Sequence, residues 1–488
     1  MTDAPVVQTA SGPVRGFWRD AGTPNASAAF LGIPFAEAPV GALRFAAPVP
    51  PEPWTDVRDA TTYGATALRR DPGGTLIPEP PIPGDATLNV NVFTPLSDEK
   101  LPVLVWIHGG GYTEGSPASP WYDGSRFNRD GVVTVTLSYR LGFDGFGWIE
   151  GAPHNRGVRD WIAGLEWVQQ NIAAFGGDPD RVTIGGQSAG GGAVLTLLGM
   201  PGAQHLFHGA LTLSAALADI PVDVAKERGE RLAGILEIEP TLAGFRSVSE
   251  SRILKTQPKA VGGRKGLGLL SGLVEDGLPW GPIIDGELVM RPAVDALASG
   301  IGSDKPLVLG ATDDEFTMIA DQAPRALRVI PSAALLRGVL RDRGVRRAYL
   351  RANRPQRAKG SAAMVGRFVT DHVFRTLVVR VAEARRTADA ETWVYAFSWV
   401  SPTKGWSCHC LDVPFWFDGL DRERVSDLAG PNPPQSLADD MHGAAVSFVT
   451  AGAPGWPAWR TEPGTARVFG GDGLPVSTSA YDDVLALV

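Results

Sequence analysis

The stretch Arg181–Thr196, with the sequence RVTIGGQSAGGGAVLT, limits the possible folds of this chain more than any other segment. Its first part, Arg181–Gly185, is rich in β-branched residues and predicts a short buried strand. The next five residues match the pattern G-x-S-x-G, with Ser188 at its centre, and apolar residues at helical spacing follow. A strand, a sharp turn with a serine at its apex and a helix form the context in which that serine acts as a nucleophile. Glycines are expected at Gly186 and Gly190 because side chains there would collide with the neighbouring strand and helix.

Composition narrows the class of protein. The 488 residues include 45 basic and 53 acidic side chains, a formal charge of −8, which gives no signal for nucleic-acid binding. No apolar run reaches the length of about 18 residues that a membrane span needs, and the start, MTDAPVVQTASG, lacks the features of a signal peptide. Since Cys408 and Cys410 are the only cysteines, no disulfide framework is expected. We therefore expect a cytoplasmic protein that binds neither nucleic acid nor membranes.

Strand patterns alternate with helical patterns along the chain. A helical spacing of apolar residues covers Asn155–Phe175, and buried strands are predicted at Val103–Ile107, Val132–Leu137, Gly209–Leu213, Leu307–Leu309 and Thr392–Trp399. This alternation predicts an α/β fold with a mostly parallel, doubly wound sheet. We interpret residues 1–488 as a single domain with a mainly helical, cap-like region around residues 317–388.

Several long motifs resemble the type B carboxylesterase family of α/β hydrolases. They are FLGIPFAEAP, WIHGGGY, SYRLG, NIAAFGGDPDRVTIGGQSAGG and MHGAAVSF, which begin at residues 30, 106, 138, 171 and 441. The resemblance covers nearly the whole chain. It implies the α/β-hydrolase fold and hydrolysis of a small-molecule ester through an acyl-enzyme on Ser188, with no metal or organic cofactor.

The candidate general base follows from chain order, because this fold carries its residues in the order serine, acid, histidine. Of the seven histidines, His372, His409 and His442 lie late enough in the chain. His372 and His442 fall in helical patterns and are expected to be structural or on the surface. His409 lies in the loop sequence GWSCHCLDVPFWF after a predicted strand, which favours it as the base.

The candidate acid lies in the loop after the strand Leu307–Leu309, where three acidic residues follow one another as Asp313, Asp314 and Glu315. Sites in α/β folds form at this end of a strand, but the residues alone do not choose among the three. The family resemblance implies Glu315, with Asp314 as the second candidate. Asp412, three residues after His409, is a weaker candidate.

The oxyanion hole is predicted in the sequence His108–Gly111, which follows a buried strand directly. Backbone N–H groups in such a glycine-rich turn can approach the substrate closely. The resemblance implies Gly110, Gly111 and Ala189 as the donors, and the alternative is an ordinary glycine-rich turn. Tyr112, next to these glycines, and the proline-rich loop Asp71–Gly84 suggest a gorge lined by apolar and aromatic groups.

The chain departs from the family pattern at positions that bear on chemistry. Gln187 stands where the residue before the nucleophile is usually glutamate, so a negative charge near His409 is missing. Arg44 and Asp85 occupy the positions of a structural ion pair of the family. The loop Leu68–Pro83 contains no tryptophan, so the aromatic platform that holds choline in cholinesterases is absent there. This composition favours neutral esters.

Two other functions stay open from the sequence. An amide or carbamate hydrolase would use the same triad, and a non-catalytic binding module, as in some members of the family, would have lost part of it. A Cys-His-Cys metal site at Cys408–Cys410 is a further alternative, but adjacent residues point in different directions and no further cluster of ligands is evident in the sequence. Two buried free thiols are the favoured interpretation.

Overall fold

The computed structural model describes residues 3–69, 75–262, 267–320 and 329–488. The strands of the described residues are β1 Val6–Gln8, β2 Pro13–Arg15, β3 Phe17–Arg19, β4 Ser27–Pro34, β5 Arg58–Asp59, β6 Asn89–Thr94, β7 Leu101–Ile107, β8 Val133–Leu137, β9 Gly177–Gln187, β10 Gly209–Leu213, β11 Ile220–Pro221, β12 Ile283–Ile284, β13 Leu307–Thr312, β14 Thr392–Phe397, β15 Ala466–Phe469 and β16 Val476–Ser477.

Eleven of these strands of the described residues form one sheet in the order β16-β15-β14-β13-β10-β9-β7-β8-β6-β4-β3. From β15 to β8 every pair of neighbours is parallel. The flanking strands β16, β6, β4 and β3 are antiparallel to their neighbours. The prediction of a mostly parallel sheet is confirmed, and β9, which leads to Ser188, lies near its centre.

Helices connect the strands and cover the sheet. They are α1 Ser125–Arg129, α2 Gly142–Phe146, α3 Arg156–Asn171, α4 Ala189–Leu198, α5 Val222–Leu236, α6 Leu242–Arg246, α7 Glu250–Ala260, α8 Leu267–Glu275, α9 Ala293–Ala298, α10 Thr317–Ala320, α11 Ser332–Leu335, α12 Arg343–Ala352, α13 Arg354–Ala358, α14 Ser361–Thr370, α15 Thr376–Thr387, α16 Val413–Trp416, α17 Val425–Ala429 and α18 Gln435–Ala451. Short 3-10 turns lie at Gly41–Leu43, Pro120–Tyr122, Ile172–Phe175 and Pro201–Leu206, and a π-helical turn at Asp371–Arg375 joins α14 to α15.

The core lies on both faces of the sheet. Successive side chains of a strand point to opposite faces, and in β7 Val105 packs into one large apolar cluster while Leu104 and Trp106 pack into another. All three are at most 1% exposed. Burial on both faces explains why these strands are nearly continuous apolar runs, as parallel strands covered by helices require.

Element boundaries differ from the sequence prediction in a few places. The helix predicted over Asn155–Phe175 divides into α3 and a 3-10 turn, and Gly176 with φ of +82° ends it. The strands β15 and β16 were not predicted, because they are short and half-buried at the edge of the sheet. Of the proline-rich loop Asp71–Gly84, residues 71–74 lie outside the described residues, and the rest forms neither helix nor strand.

The expected ion pair between Arg44 and Asp85 is not formed. Arg44 pairs with Asp144 of α2 instead, with 2.9 Å between Nε and Oδ2. A second N–H of Arg44 donates to the carbonyl of Val248 at 2.6 Å. Both partners are distant in sequence. The packing of α2 and of the segment before α7 therefore determines which groups Arg44 contacts, and the local sequence pattern does not.

The parallel strands deliver the candidate site residues to one edge of the sheet. The carboxyl end of β7 leads into His108–Gly111, that of β9 into Ser188, and that of β13 into Glu315. The segment after β14 carries His409. Because neighbouring parallel strands end on the same side, residues far apart in sequence converge at this edge.

Candidate active site

Ser188 occupies the turn between β9 and α4 in a strained conformation, with φ of +58° and ψ of −123°. Its backbone is fixed on both sides: its N–H donates to Leu213 at 2.9 Å, and its carbonyl accepts from Ala216 at 2.9 Å. The flanking glycines are required by contact. A Cβ at Gly186 would lie 2.4 Å from the carbonyl of Gly190, and one at Gly190 would lie 2.0 Å from that of Ile107. The sequence G-x-S-x-G therefore builds a strained turn with a partly exposed serine at its tip.

The glycine-rich turn after β7 lies beside Ser188. A Cβ at Gly109 would be 3.2 Å from Cβ of Ser188. Gly110 and Gly111 have φ of +104° and +59°, values that favour glycine. Their N–H groups donate to no acceptor in the described part of the chain. Ala189, the residue after Ser188 and the first residue of α4, has an N–H without an intrahelical partner.

Glu315 is fully buried and oriented by the backbone. One carboxylate oxygen, Oε1, accepts from the N–H of Thr312 at 2.9 Å, and the other, Oε2, is hydrogen-bonded to Nδ1 of His409. The carbonyl of Glu315 also accepts from the N–H of His409 at 2.8 Å. The loop of the acid and the loop of the histidine are thus joined through both backbone and side chains.

The imidazole of His409 is 5% exposed and packs against two aromatic rings. The ring centres of Phe316 and Phe374 lie 4.8 and 5.1 Å from that of the histidine. Burial by itself would lower the pKa of His409, but its contacts with Cys410 and Glu315 outweigh burial and raise the pKa above its ordinary value. Because Nδ1 faces the carboxylate, the neutral ring carries its proton there and presents Nε2 as an acceptor.

Gln187 contacts that second nitrogen of the ring. Its carboxamide Nε2 lies 3.0 Å from Nε2 of His409 and 3.2 Å from Sγ of Cys410. Within the described ranges no hydrogen bond joins Oγ of Ser188 to His409. In this resting arrangement the amide N–H of Gln187 donates to the nitrogen that a general base would use, and hydrogen bonds of this kind are often rearranged only when substrate binds.

The other late histidines are remote from Ser188 and Glu315 in their contacts. His372 is exposed and stacks on Phe368 at 5.6 Å. His442 is buried in α18, where Nε2 pairs with Asp130 at 2.9 Å and Nδ1 with the carbonyl of Trp416 at 2.9 Å. Both occupy the structural or surface places that the sequence predicted for them.

The neighbouring acids are engaged elsewhere. Asp314 accepts from Gln356 at 2.7 Å and lies 3.7 Å from Arg367, so its carboxylate turns away from the imidazole. Asp313 is half-buried and lies 3.9 Å from Arg375. Asp412 accepts from the hydroxyl of Tyr395 at 2.9 Å, and burial raises its pKa to about 7. Only Glu315, among these four acids, is hydrogen-bonded to the histidine.

Tyr112 does not line a gorge as expected. It is fully buried, and its ring packs on Phe146 and Trp161, with centres 5.1 and 6.0 Å away. Its backbone has a φ of +59°, in the left-handed region. The expectation was wrong because sequence proximity to the glycines did not specify the direction of the ring.

Cys408 and Cys410 are buried free thiols, as the sequence analysis favoured. Burial raises the pKa of Cys408 to about 12 and also raises that of Cys410. The described residues contain no group of three or more histidine, cysteine or acidic side chains placed to hold a metal ion. They also include no helix with the length and apolar character that crossing a bilayer requires.

Comparison with known proteins identifies the family. Residues 3–464 match the model of the carboxylesterase family. The chain belongs to this family. The para-nitrobenzyl esterase of Bacillus subtilis is 34% identical over 94% of this chain and 93% of the relative. The fumonisin B1 esterase of Sphingopyxis macrogoltabida is 31% identical, over 98% of this chain and 90% of the relative.

Solved structures agree with this assignment. A structure of a PNB esterase covers 100% of both chains with a TM-score of 0.85 at 30% identity. A carboxylesterase of Geobacillus stearothermophilus covers 95% of this chain and 96% of that one, with a TM-score of 0.78 at 31% identity. The carboxylesterase described here thus has the predicted α/β-hydrolase fold and is a carboxylic ester hydrolase.

Some contacts of the site were not predicted from the sequence. The sequence indicates that Gln187 lacks the usual charge but does not indicate that its side chain contacts both His409 and Cys410. The contact of Phe374 with the imidazole joins a π-helical turn to a distant loop, and no local pattern signals it. The G-x-S-x-G motif, by contrast, gave a usable signal for Gln187, since the residue before the serine ends the central strand.

Proposed function

We propose that this carboxylesterase hydrolyses neutral carboxylic esters through an acyl-enzyme, with Ser188, His409 and Glu315 as its triad. The observation that carries the proposal is the hydrogen bond between the buried carboxylate of Glu315 and Nδ1 of His409, at the sheet edge where Ser188 occupies a strained turn. The carboxylate fixes the tautomer of the ring and stabilises the imidazolium that forms during reaction.

The first step is attack by Oγ of Ser188 on the acyl carbon of the ester. His409 accepts the serine proton at Nε2, so the hydroxyl of Ser188 takes the place that the amide of Gln187 holds in the resting arrangement. The negative charge that develops on the carbonyl oxygen is held by the N–H groups of Gly110, Gly111 and Ala189. These amides are free to do so because the first two have no other acceptor in the described residues.

Collapse of this intermediate breaks the bond to the alcohol, which leaves with the proton from His409. Water then attacks the acyl group on Ser188, with His409 again as base and the same amides holding the charge. The serine and the neutral imidazole are regenerated, and all proton transfers use Nε2 of the same ring. The cycle uses only side chains, backbone amides and water.

The substrate preference is proposed from what the sequence lacks. The loop Leu68–Pro83 contains no tryptophan to hold a quaternary ammonium group. We expect neutral esters with small to medium acyl groups to be better substrates than choline esters or long-chain triglycerides. The relatives named para-nitrobenzyl esterase and fumonisin B1 esterase are both esterases by name, which supports an ester over an amide.

The test is a substrate panel measured as kcat/KM. It pairs acetylcholine with its neutral isostere 3,3-dimethylbutyl acetate, compares p-nitrophenyl esters of increasing acyl length, and includes the matching amide and carbamate. We expect the neutral isostere and the shorter acyl groups to be preferred. A higher value for acetylcholine, or for the amide or carbamate, would contradict the proposed substrate class, and an inert folded protein would favour a binding module.

A further inference from the structure

Glu79 is a buried carboxylate that the proposed mechanism does not use. It lies outside helices and strands, and its side chain is 10% exposed. Its Oε2 accepts a hydrogen bond of 2.9 Å from the N–H of Gly115. Gly115 lies at the C-terminal end of the glycine-rich turn after β7. The carboxylate therefore holds this end of the turn that carries Gly110 and Gly111.

The geometry of the turn shows what that hydrogen bond controls. The carbonyl of Gly110 accepts from the N–H groups of Thr113 and Glu114 at 3.0 and 2.8 Å, which closes the turn on itself. A Cβ at Gly115, whose φ is +102°, would lie 2.2 Å from the carbonyl of Gly109. The end and the start of the turn are therefore in contact, and a shift of Gly115 would be transmitted to the backbone of Gly109 and Gly110.

Among the described residues, the surroundings of Glu79 combine a cation, an acidic neighbour and polar groups that stay neutral. Nε of Arg69 lies 3.8 Å from the carboxylate, and another N–H of Arg69 donates to the carbonyl of Glu79. Glu114 adds a negative charge nearby. His108, on the other side of the turn, is kept neutral because burial lowers its pKa to about 3.

Two buried tyrosines complete these surroundings. Tyr122 and Tyr139 have pKa values raised by burial and by the charge of Glu79, and so stay protonated. Burial raises the pKa of Glu79 itself to about 7, against the opposing effects of the Gly115 hydrogen bond and Arg69. The carboxylate consequently changes its charge near neutral pH.

We propose that Glu79 is a positioning residue for the oxyanion hole, whose ionised carboxylate holds the N–H of Gly115 and thereby aims the amides of Gly110 and Gly111 at the substrate. A hydrogen bond to an ionised acceptor is about twice as strong as one between neutral groups. Loss of the charge therefore loosens the turn without unfolding it. This inference rests on the proposed function, because the aim of the amides matters only if they hold the developing oxyanion.

Glu79→Gln is the decisive variant, since glutamine keeps the length and an acceptor oxygen but cannot carry the charge. We expect its kcat to fall by about tenfold at alkaline pH, less than the loss of about 100–1000-fold that follows removal of a whole donor. At acidic pH the wild-type carboxylate is protonated, and the two proteins should turn over equally. The ratio of the wild-type kcat to the variant kcat should rise with pH through a midpoint near 7. The titration of His409 affects both proteins alike and cancels from this ratio.

Two further measurements separate positioning from a structural role. Above pH 7 the Glu79→Gln variant should have an equal or higher Tm than the wild type, because it no longer buries a charge, although its kcat is lower. Binding of a trifluoromethyl ketone, whose adduct with Ser188 places an oxyanion in the hole, should weaken by about the same factor as kcat, with KM nearly unchanged. Glu99→Gln makes the same charge change at an exposed site and should alter none of these quantities.

Equal kcat values at all pH, or a ratio that does not change with pH, would overturn the inference. So would a fall in Tm that accompanies the loss of activity, because that result fits a structural role. The proposed function is tested separately. If Ser188→Ala keeps its turnover, Ser188 is not the nucleophile and the proposed function is wrong. If Ser188→Ala is inert and the dependence of kcat on pH in Glu79→Gln equals that of the wild type, the role of Glu79 alone is refuted.

Discussion

Restoring a negative charge beside the base should move the pH profile of this esterase. The wild-type kcat/KM should rise with pH as His409 loses its proton, with a midpoint above the ordinary histidine value of about 6.5, because the pKa of His409 is raised. Gln187→Glu would place a carboxylate at the position whose nitrogen now lies 3.0 Å from Nε2 of the ring. A carboxylate there stabilises the imidazolium, so the base becomes available only at higher pH.

The size of the shift follows from that distance. Unit charges about 4 Å apart interact by about 4 kcal/mol at an effective dielectric constant of about 20. Gln187 is 1% exposed, so burial of the new carboxylate offsets part of this energy. Opposite charges in contact shift a pKa by about 1–3 units, and a shift of about 1.5 units corresponds to ~2 kcal/mol. At pH values well below the midpoints of both proteins, the kcat/KM of Gln187→Glu should therefore be about 30-fold lower than that of the wild type.

The assay is the kcat/KM of p-nitrophenyl acetate hydrolysis over about pH 5 to 10. Gln187→Glu should approach the wild-type plateau at high pH with a midpoint about 1–2 units higher. Gln187→Met, which removes the hydrogen bond without adding charge, should not raise the midpoint. Gln170→Glu adds the same charge on the exposed face of α3 and should leave the profile unchanged. An unshifted midpoint in Gln187→Glu would refute the assignment of His409 as the group that titrates.

Further predictions test the other members of the site. Glu315→Gln should lower kcat by about 10⁴-fold, the loss seen when a triad acid becomes an amide. Asp314→Asn makes the same change on the preceding residue and should leave kcat within a few-fold of the wild-type value. Similar losses in both variants would refute the choice of Glu315. A thiol reagent should react slowly with Cys410, because burial raises its pKa, and should inactivate by displacing His409. The Cys410→Ala variant should resist the reagent, and protection by Cys408→Ala instead would contradict this. A chelator should leave turnover unchanged, and loss of activity that added zinc restores would contradict a mechanism based on side chains alone.

The sequence predicted those parts of the molecule that local pattern determines. β9 and the strained turn at Ser188 follow from a β-branched run and from glycines that sterics require. The strand ends that carry Gly110 and Glu315 follow in the same way, because buried parallel strands are continuous apolar runs. The position of His409 was reached by chain order, and the structure joins it to Glu315 rather than to Asp314.

Contacts between distant loops could not be predicted in the same way. Arg44 pairs with Asp144 rather than Asp85 because the packing of α2 decides which acid is within reach. The ring of Tyr112 packs in the core, and the sequence reveals neither this position nor the positive φ of its backbone. Glu79 lies in a proline-rich loop that has no periodic pattern, so only the folded chain shows its hydrogen bond to Gly115.

Ser188 is the proposed covalent nucleophile, and active-site labelling is the decisive test of that role. Wild-type protein and Ser188→Ala would be treated with an organophosphate, assayed for residual esterase activity, and mapped by peptide mass spectrometry. Activity should fall in proportion to labelling of the peptide containing Ser188. The folded Ser188→Ala protein should be neither labelled at that peptide nor active. Labelling of a different residue in step with inactivation, or near-normal turnover by Ser188→Ala, would show that Ser188 is not the nucleophile.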